Sequence, residues 1–212
     1  MCGCCRDARI YADLLQTQFL WERACSRSRP PSHLQVFSMP LHECPHSFEE
    51  LAKTVLPAHM RRMESALAAP REMKAFSIPG IGAKSLLKKF DLAHDFSGCY
   101  VLIDNGVPIY VGISRSVISR LRQHVFGKTH FDASLAFRVA MAKHPDRTIS
   151  KLTRAKAMDN PLFGTSFAEA QSYLKTLHVA AIAIENALEL YVFEPYCALA
   201  LDTHQWNSFE TH

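Results

Sequence analysis

The chain has no run of about eighteen or more apolar residues, which excludes an ordinary membrane-spanning helix, and its first residues lack the basic-then-apolar layout of a secretory signal. A strong charge is also missing. The 24 Lys and Arg against 20 Asp and Glu leave a formal net charge of +4, too mild to select a partner by itself. There is no even, closely spaced cysteine framework, and seven scattered cysteines are what a cytosolic protein with reduced thiols carries. Cys2, Cys4 and Cys5, with Cys25, His42, Cys44 and His46 downstream, match no closed zinc pattern. These absences point to a soluble, cytoplasmic protein without a membrane partner, and nothing indicates an oligomer. What is present is globular in balance, 48% hydrophobic and 21% charged over 212 residues. That length suits one domain of about 100–120 residues plus an extension.

Residues 1–38 are poorly organised: Ala8–Ala24 has some helical character, and Arg27–Ser32 (RSRPPS) breaks it. Organised sequence begins just after Met39, a plausible alternative start. Ser47-Phe48-Glu49-Glu50 is a capping box, and Pro57 precedes a second helix over roughly His59–Ala68. Residues 39–95 therefore read as a helical extension. Within it Ile78–Phe90, with Gly80 and Gly82 before Lys84, Lys88 and Lys89, has two readings. One is a glycine turn gripping a DNA phosphate through backbone N–H groups, as in helix-hairpin-helix modules; the other is a turn whose Leu86, Leu87 and Phe90 pack on the core.

The richest stretch is Gly98–His124. Cys99–Asp104 and Val107–Val111 are dense in β-branched and aromatic residues and flank Asp104-Asn105-Gly106, a strong hairpin signal. A two-residue Asn105-Gly106 loop would send Tyr100 and Tyr110 to opposite faces, because side chains alternate along a strand. A three-residue loop with Gly106 as a bulge sets Ile103 opposite Val107 and Tyr100 opposite Tyr110. The second register is preferred. It leaves Val101, Ile103, Val107, Ile109 and Val111 on a core face and Tyr100, Leu102, Pro108 and Tyr110 on the other. VISRLRQHVF follows at helical spacing, with Ser114 or Ser116 as N-cap, Val117, Leu121 and Val125 on one stripe, and Arg120 and His124 on another.

Gly98-Cys99-Tyr100, Tyr110-Val111-Gly112 and Arg120-Leu121-Arg122-Gln123-His124 together resemble the signature of the GIY-YIG nucleases, with Cys99 in place of the central isoleucine. The resemblance spans about residues 96–212. It implies an α/β (α+β) fold with a small three-stranded antiparallel sheet flanked by helices. It also implies divalent-metal-dependent cleavage of a DNA phosphodiester with Mg2+ (or Mn2+). Tyr100, Tyr110, Arg120 and His124 would be catalytic, together with an acidic metal ligand on a late helix and an asparagine a dozen or so residues beyond.

Downstream, Asp132 can cap a helix Ala133–His144 that Pro145 ends, Asp159-Asn160-Pro161 and Gly164 mark a loop, Ser166–Thr176 is helical, and His178–Ile184 is the third strand. His130, in the loop after the first helix, reads as a surface histidine. Glu185, Glu189 and Glu194 compete for the metal. Glu194, thirteen residues before Asn207, is chosen, with Glu185 in reserve. Pro195 suits a first helical turn, which sets Glu194 at or just before the N-cap. Asn207 is the polar partner near the site. Lys143, Arg147, Lys151, Arg154 and Lys156 form the most basic run, which serves either as a solvated face or as a DNA track.

The chemistry asks for these residue types. A guanidinium stays charged and offers a fork of donors to a phosphate, and a carboxylate suits a hard cation that keeps its waters. A phenol, with an ordinary pKa near 10, acts as a base only if positive charge lowers it. The expected activity is that of a metal-dependent DNA endonuclease. The alternative is a non-catalytic nucleic-acid-binding protein on the same scaffold.

Overall fold

The computed structural model describes residues 43–145 and 147–209, without the side chains of Arg147 and Thr148. The segment 1–38, the start at Met39, and Cys2, Cys4, Cys5, Cys25 and His42 lie outside the described residues. The capping box forms: Ser47 Oγ accepts from the Glu50 amide and the Glu50 carboxylate accepts from the Ser47 amide. From it the chain runs helically through Phe48–Glu50, a π-turn at Leu51–Val55, and α1 (Leu56–Leu67), with Pro57 in the first turn. A two-residue strand β1 (Arg71–Glu72), a 3-10 turn (Met73–Phe76) and α2 (Ala83–Lys89) precede the hairpin β2 (Gly98–Asp104) and β3 (Val107–Ser114). Then come α3 (Val117–Phe126), α4 (Ser134–Ala142), two short helical turns, α5 (Pro161–Thr176), β4 (His178–Ala183) and α6 (Ala187–Ala200).

Among the described residues the sheet has four strands in the order β1-β4-β2-β3, all antiparallel, rather than the three expected. The added strand is too short for its own sequence to mark it and exists through its pairing with β4. Both faces of the sheet are covered. Leu56, Met60 and Met63 of α1 and Leu190, Phe193 and Cys197 of α6 bury Cys99, Val101, Ile103, Val111, Ala180 and Ile182. Val117, Leu121 and Val125 of α3, with α4 and α5, bury Tyr100, Leu102 and Val179. The expected division into one core face and one tyrosine face is thus corrected: β2 is buried on both sides, and its continuous apolar run follows from that. The segment 39–95 belongs to the same unit as 96–212, because α1 packs on β4 and β1 extends the sheet.

The hairpin register is also corrected. Asp104 pairs with Val107 around a two-residue turn, with Asn105 at φ 48° and Gly106 at φ 84°, the positive values that such a turn requires. A bulge at Ile109 then shifts the pairing so that Leu102 faces Tyr110 and Tyr100 faces Gly112. Pro108 is tolerated there because β3 is an edge strand. The bulge returns both phenols to one face, and Ile109 joins the tyrosine side of the core.

Three helix boundaries differ from expectation. Pro161 starts α5 behind the cap Asn160, which carries Gly164 inside the helix. Asn186 caps α6, so Pro195 lies within that helix and Glu194 in its middle, not at its N-terminus. Ala133, not Asp132, is the cap residue of α4, and the Asp132 carboxylate accepts instead from Thr129 Oγ1 at 2.8 Å.

Candidate functional site

Two glycines make room for the site. A Cβ on Gly98 would run into the carbonyl oxygen of Ile182 on β4, and one on Gly112 would lie 2.5 Å from Tyr100 Cζ and Oη and 2.9 Å from Tyr110 Cε1. The Tyr100 ring therefore lies over Gly112, its cross-strand neighbour, with Tyr110 diagonal to it at 6.2 Å between ring centroids.

Helix α3 crosses this face. Ser116 sits at its N-cap position but makes no capping bond; Asp95 does that from the loop before β2. Its Oδ1 accepts from the Ile118 amide at 2.8 Å, and its Oδ2 from the Ser119 amide and hydroxyl at 2.9 and 2.8 Å. Helix α3 thereby delivers His124 and Arg120. His124 is fully buried and shares a 2.7 Å hydrogen bond between its Nε2 and Tyr100 Oη; its Nδ1 has no partner among the described residues. Its ring meets those of Tyr100 and Tyr110 edge-on, at 5.6 and 6.1 Å between centroids. Arg120 is half-buried and donates to the Asp132 carbonyl (2.8 Å), Ser134 Oγ (2.9 Å) and Gln123 Oε1 (3.3 Å).

The electrostatics converge on Tyr110. Burial pushes its phenol up and the Glu194 carboxylate pushes it further, while Arg120 and Arg138 pull it down. Burial and then Tyr110 raise Tyr100 well above the usual phenol range, with Arg120 offsetting part of the rise. Burial raises the Glu194 carboxyl, opposed by Arg138. In this state both phenols are hydrogen-bonding groups rather than bases. Arg138, on α4, was missed in the sequence because it lies on that helix's exposed side, where periodicity cannot separate it from a solvated arginine. Its Nη1 donates to the Trp206 carbonyl at 2.6 Å.

Asn207 reaches the site through the backbone. Val111 donates to its Oδ1 and accepts from its Nδ2, both at 2.8 Å, and Thr203 Oγ1 donates to the same Oδ1 at 2.9 Å. The side chain acts as one more strand partner on the outer edge of β3, between Tyr110 and Gly112. Asn207→Ala should cost about 2 kcal/mol by leaving both Val111 groups unpaired, seen as a lower denaturant midpoint at unchanged slope.

The remaining expected residues lie elsewhere. Glu185 is exposed beside a separate hollow of about 810 Å³ with Arg115 and Tyr191. Glu189 is held by His59 Nε2 at 2.9 Å and faces His46 at 3.7 Å. Lys84 and Lys88 are exposed on α2, whose Leu86 is in the core. A four-residue 3-10 turn precedes that segment, so a helix-hairpin-helix is not what the described residues form there. Lys143 pairs with Glu169 at 2.8 Å, while Lys151 and Arg154 are exposed.

Burial and the nearby Arg120 charge depress the His124 imidazole to about 3, far below the usual 6.5. Below about pH 6.5 the unfolded chain binds one more proton here than the folded one, so stability falls as pH drops toward 3, by roughly 1.4 kcal/mol per pH unit. His124→Gln, which keeps a hydrogen bond to Tyr100 and removes the proton, should flatten that acid limb in denaturant titrations.

No protein-family model matches the chain, and neither a curated protein nor a solved structure matches it.

Proposed function

We propose that the chain is a divalent-metal-dependent DNA endonuclease of the GIY-YIG kind, built on that family's sheet with one extra short strand. The single observation that supports this best is the placing of both phenols on one face of the hairpin, 6.2 Å apart between ring centroids, with Arg120, Arg138 and Glu194 near enough to shift the Tyr110 phenol. Glu194 is a half-buried carboxylate that takes no hydrogen bond from another described residue, and such a free hard oxygen fits Mg2+ or Mn2+. Among the described residues no three His, Cys, Asp or Glu side chains form a metal group, so water and substrate oxygens would complete the shell. A cation bound there would supply positive charge to the phosphate and acidify a water.

Arg120, fixed by the Asp132 carbonyl and Ser134, offers its remaining donors to a phosphate oxygen. Tyr110 orients the attacking water, and Tyr100, braced by His124, holds Tyr110 in line. Arg138 stands on the Glu194 side, where charge on the leaving oxygen can be met. One such site cuts one strand.

The second reading, a nucleic-acid-binding protein that does not cut, draws on the burial of Tyr100 and the upward shift of both phenols. Supercoiled plasmid incubated with the protein separates the two: nicking in Mg2+ that EDTA abolishes supports the endonuclease, and retention in a mobility shift without nicking supports the second. Sequencing the cut ends gives the recognised position.

A further inference from the structure

The loop between α3 and α4 holds an aromatic that the core does not use. Phe131 is 75% exposed. The His130 ring lies against it at 4.0 Å between centroids and against Phe137 at 5.9 Å, and the Arg154 guanidinium sits over Phe137 at 5.7 Å. Cation and rings thus form one column from the core to the surface. A single exposed Phe is ordinary; one backed by such a column is a rigid flat face.

The loop is also fixed at both ends. Gln171 Nε2 donates to the Gly127 carbonyl at 2.8 Å, Asp132 bonds to Thr129 through side chain and backbone, and the Asp132 carbonyl, one residue past Phe131, receives Arg120. Phe131 therefore stands at a set place beside the guanidinium. Lys128, three residues before it, and Arg154, over Phe137, are exposed, and neither forms an ion pair with a described residue. A π-face amid unpaired cations is complementary to a nucleobase on a phosphate backbone.

Resting on the endonuclease reading, we propose that Phe131, backed by His130, is a stacking platform for an unpaired base of the DNA strand whose phosphate Arg120 holds. The substrate is then single-stranded or locally unpaired DNA, because a base inside a duplex keeps its faces covered.

The test is fluorescence anisotropy with labelled oligo-dT and with a fully paired blunt duplex of two annealed strands, in EDTA so that nothing is cut. Phe131→Ala should weaken oligo-dT binding by about 10- to 100-fold and leave duplex binding unchanged, and Phe131→Tyr should restore it. A 2-aminopurine base in the oligonucleotide should be quenched by the native protein and not by Phe131→Ala. Because the side chain is exposed, an unchanged thermal melt checks the fold. Native-like oligo-dT binding by Phe131→Ala, equal losses on both DNAs, or no oligo-dT binding by the native protein would each overturn the proposal. Stacking without any plasmid nicking sinks the endonuclease reading alone; nicking with no effect of Phe131 sinks the platform alone.

Discussion

Plasmid nicking in Mg2+ is expected to fall by about 10²–10³-fold or more in Glu194→Gln and in Arg120→Lys, each removing one preorganised electrostatic contact. Glu194→Gln keeps the shape and deletes the charge a cation needs. Since that carboxylate takes no hydrogen bond from a described residue and burial already disfavours its charged form, the variant should melt at or slightly above the native temperature. Raised Mn2+ should restore part of the rate. Arg120→Lys keeps a positive charge but loses the fork that reaches the Asp132 carbonyl and Ser134 Oγ together, so rate and some stability drop at once. Unimpaired nicking by both variants would remove the assignment. Loss in Glu185→Gln instead would move the metal to the exposed hollow at the far end of β3.

Gly112→Ala is expected to be as damaging to activity and far more so to the fold. The added methyl would lie 2.5 Å from Tyr100 Cζ and Oη, and that ring cannot retreat, being fully buried and bonded to His124. Overpacking of this kind costs about 3 kcal/mol, or roughly 6–12 °C of melting temperature for a chain of this size. Gly106→Ala is the control: its methyl meets open space, and the positive φ alone should cost about 1 kcal/mol with no change in nicking. A Gly112→Ala protein that melts and cuts normally would show that Tyr100 does not sit over that position in solution.

Much of this arrangement was legible in the residues, because local chemistry wrote it. Asp104-Asn105-Gly106 marks the hairpin tip, although the preferred three-residue loop gives way to a two-residue turn; Val117, Leu121 and Val125 mark the buried side of α3, and the apolar run after His178 marks β4. What escaped depends on distant partners. Pro108 and Ile109 give no local sign of a bulge, since the extra residue follows from how β3 must meet β2. Pro195 reads as a helix start, yet α6 begins earlier at the side-chain cap Asn186. Asp95 caps a helix from 23 and 24 residues away, a spacing that no capping pattern contains. The pairing of Tyr100 with Gly112 rather than Tyr110 also explains why a glycine follows the second tyrosine by two positions.

The Ile109 bulge has a consequence for how this hairpin tolerates change. Whether two residues on neighbouring strands share a side depends on whether an even or odd number of the residues between them is paired, and turn and bulge set that number together. One residue inserted at the tip can be absorbed by straightening β3 at Ile109, keeping both rings together. One residue deleted at Ile109 with the tip untouched would likewise keep Leu102 opposite Tyr110, whereas straightening β3 with Ile109 retained and the tip unchanged would turn Tyr110 toward α6 and leave Tyr100 alone with His124.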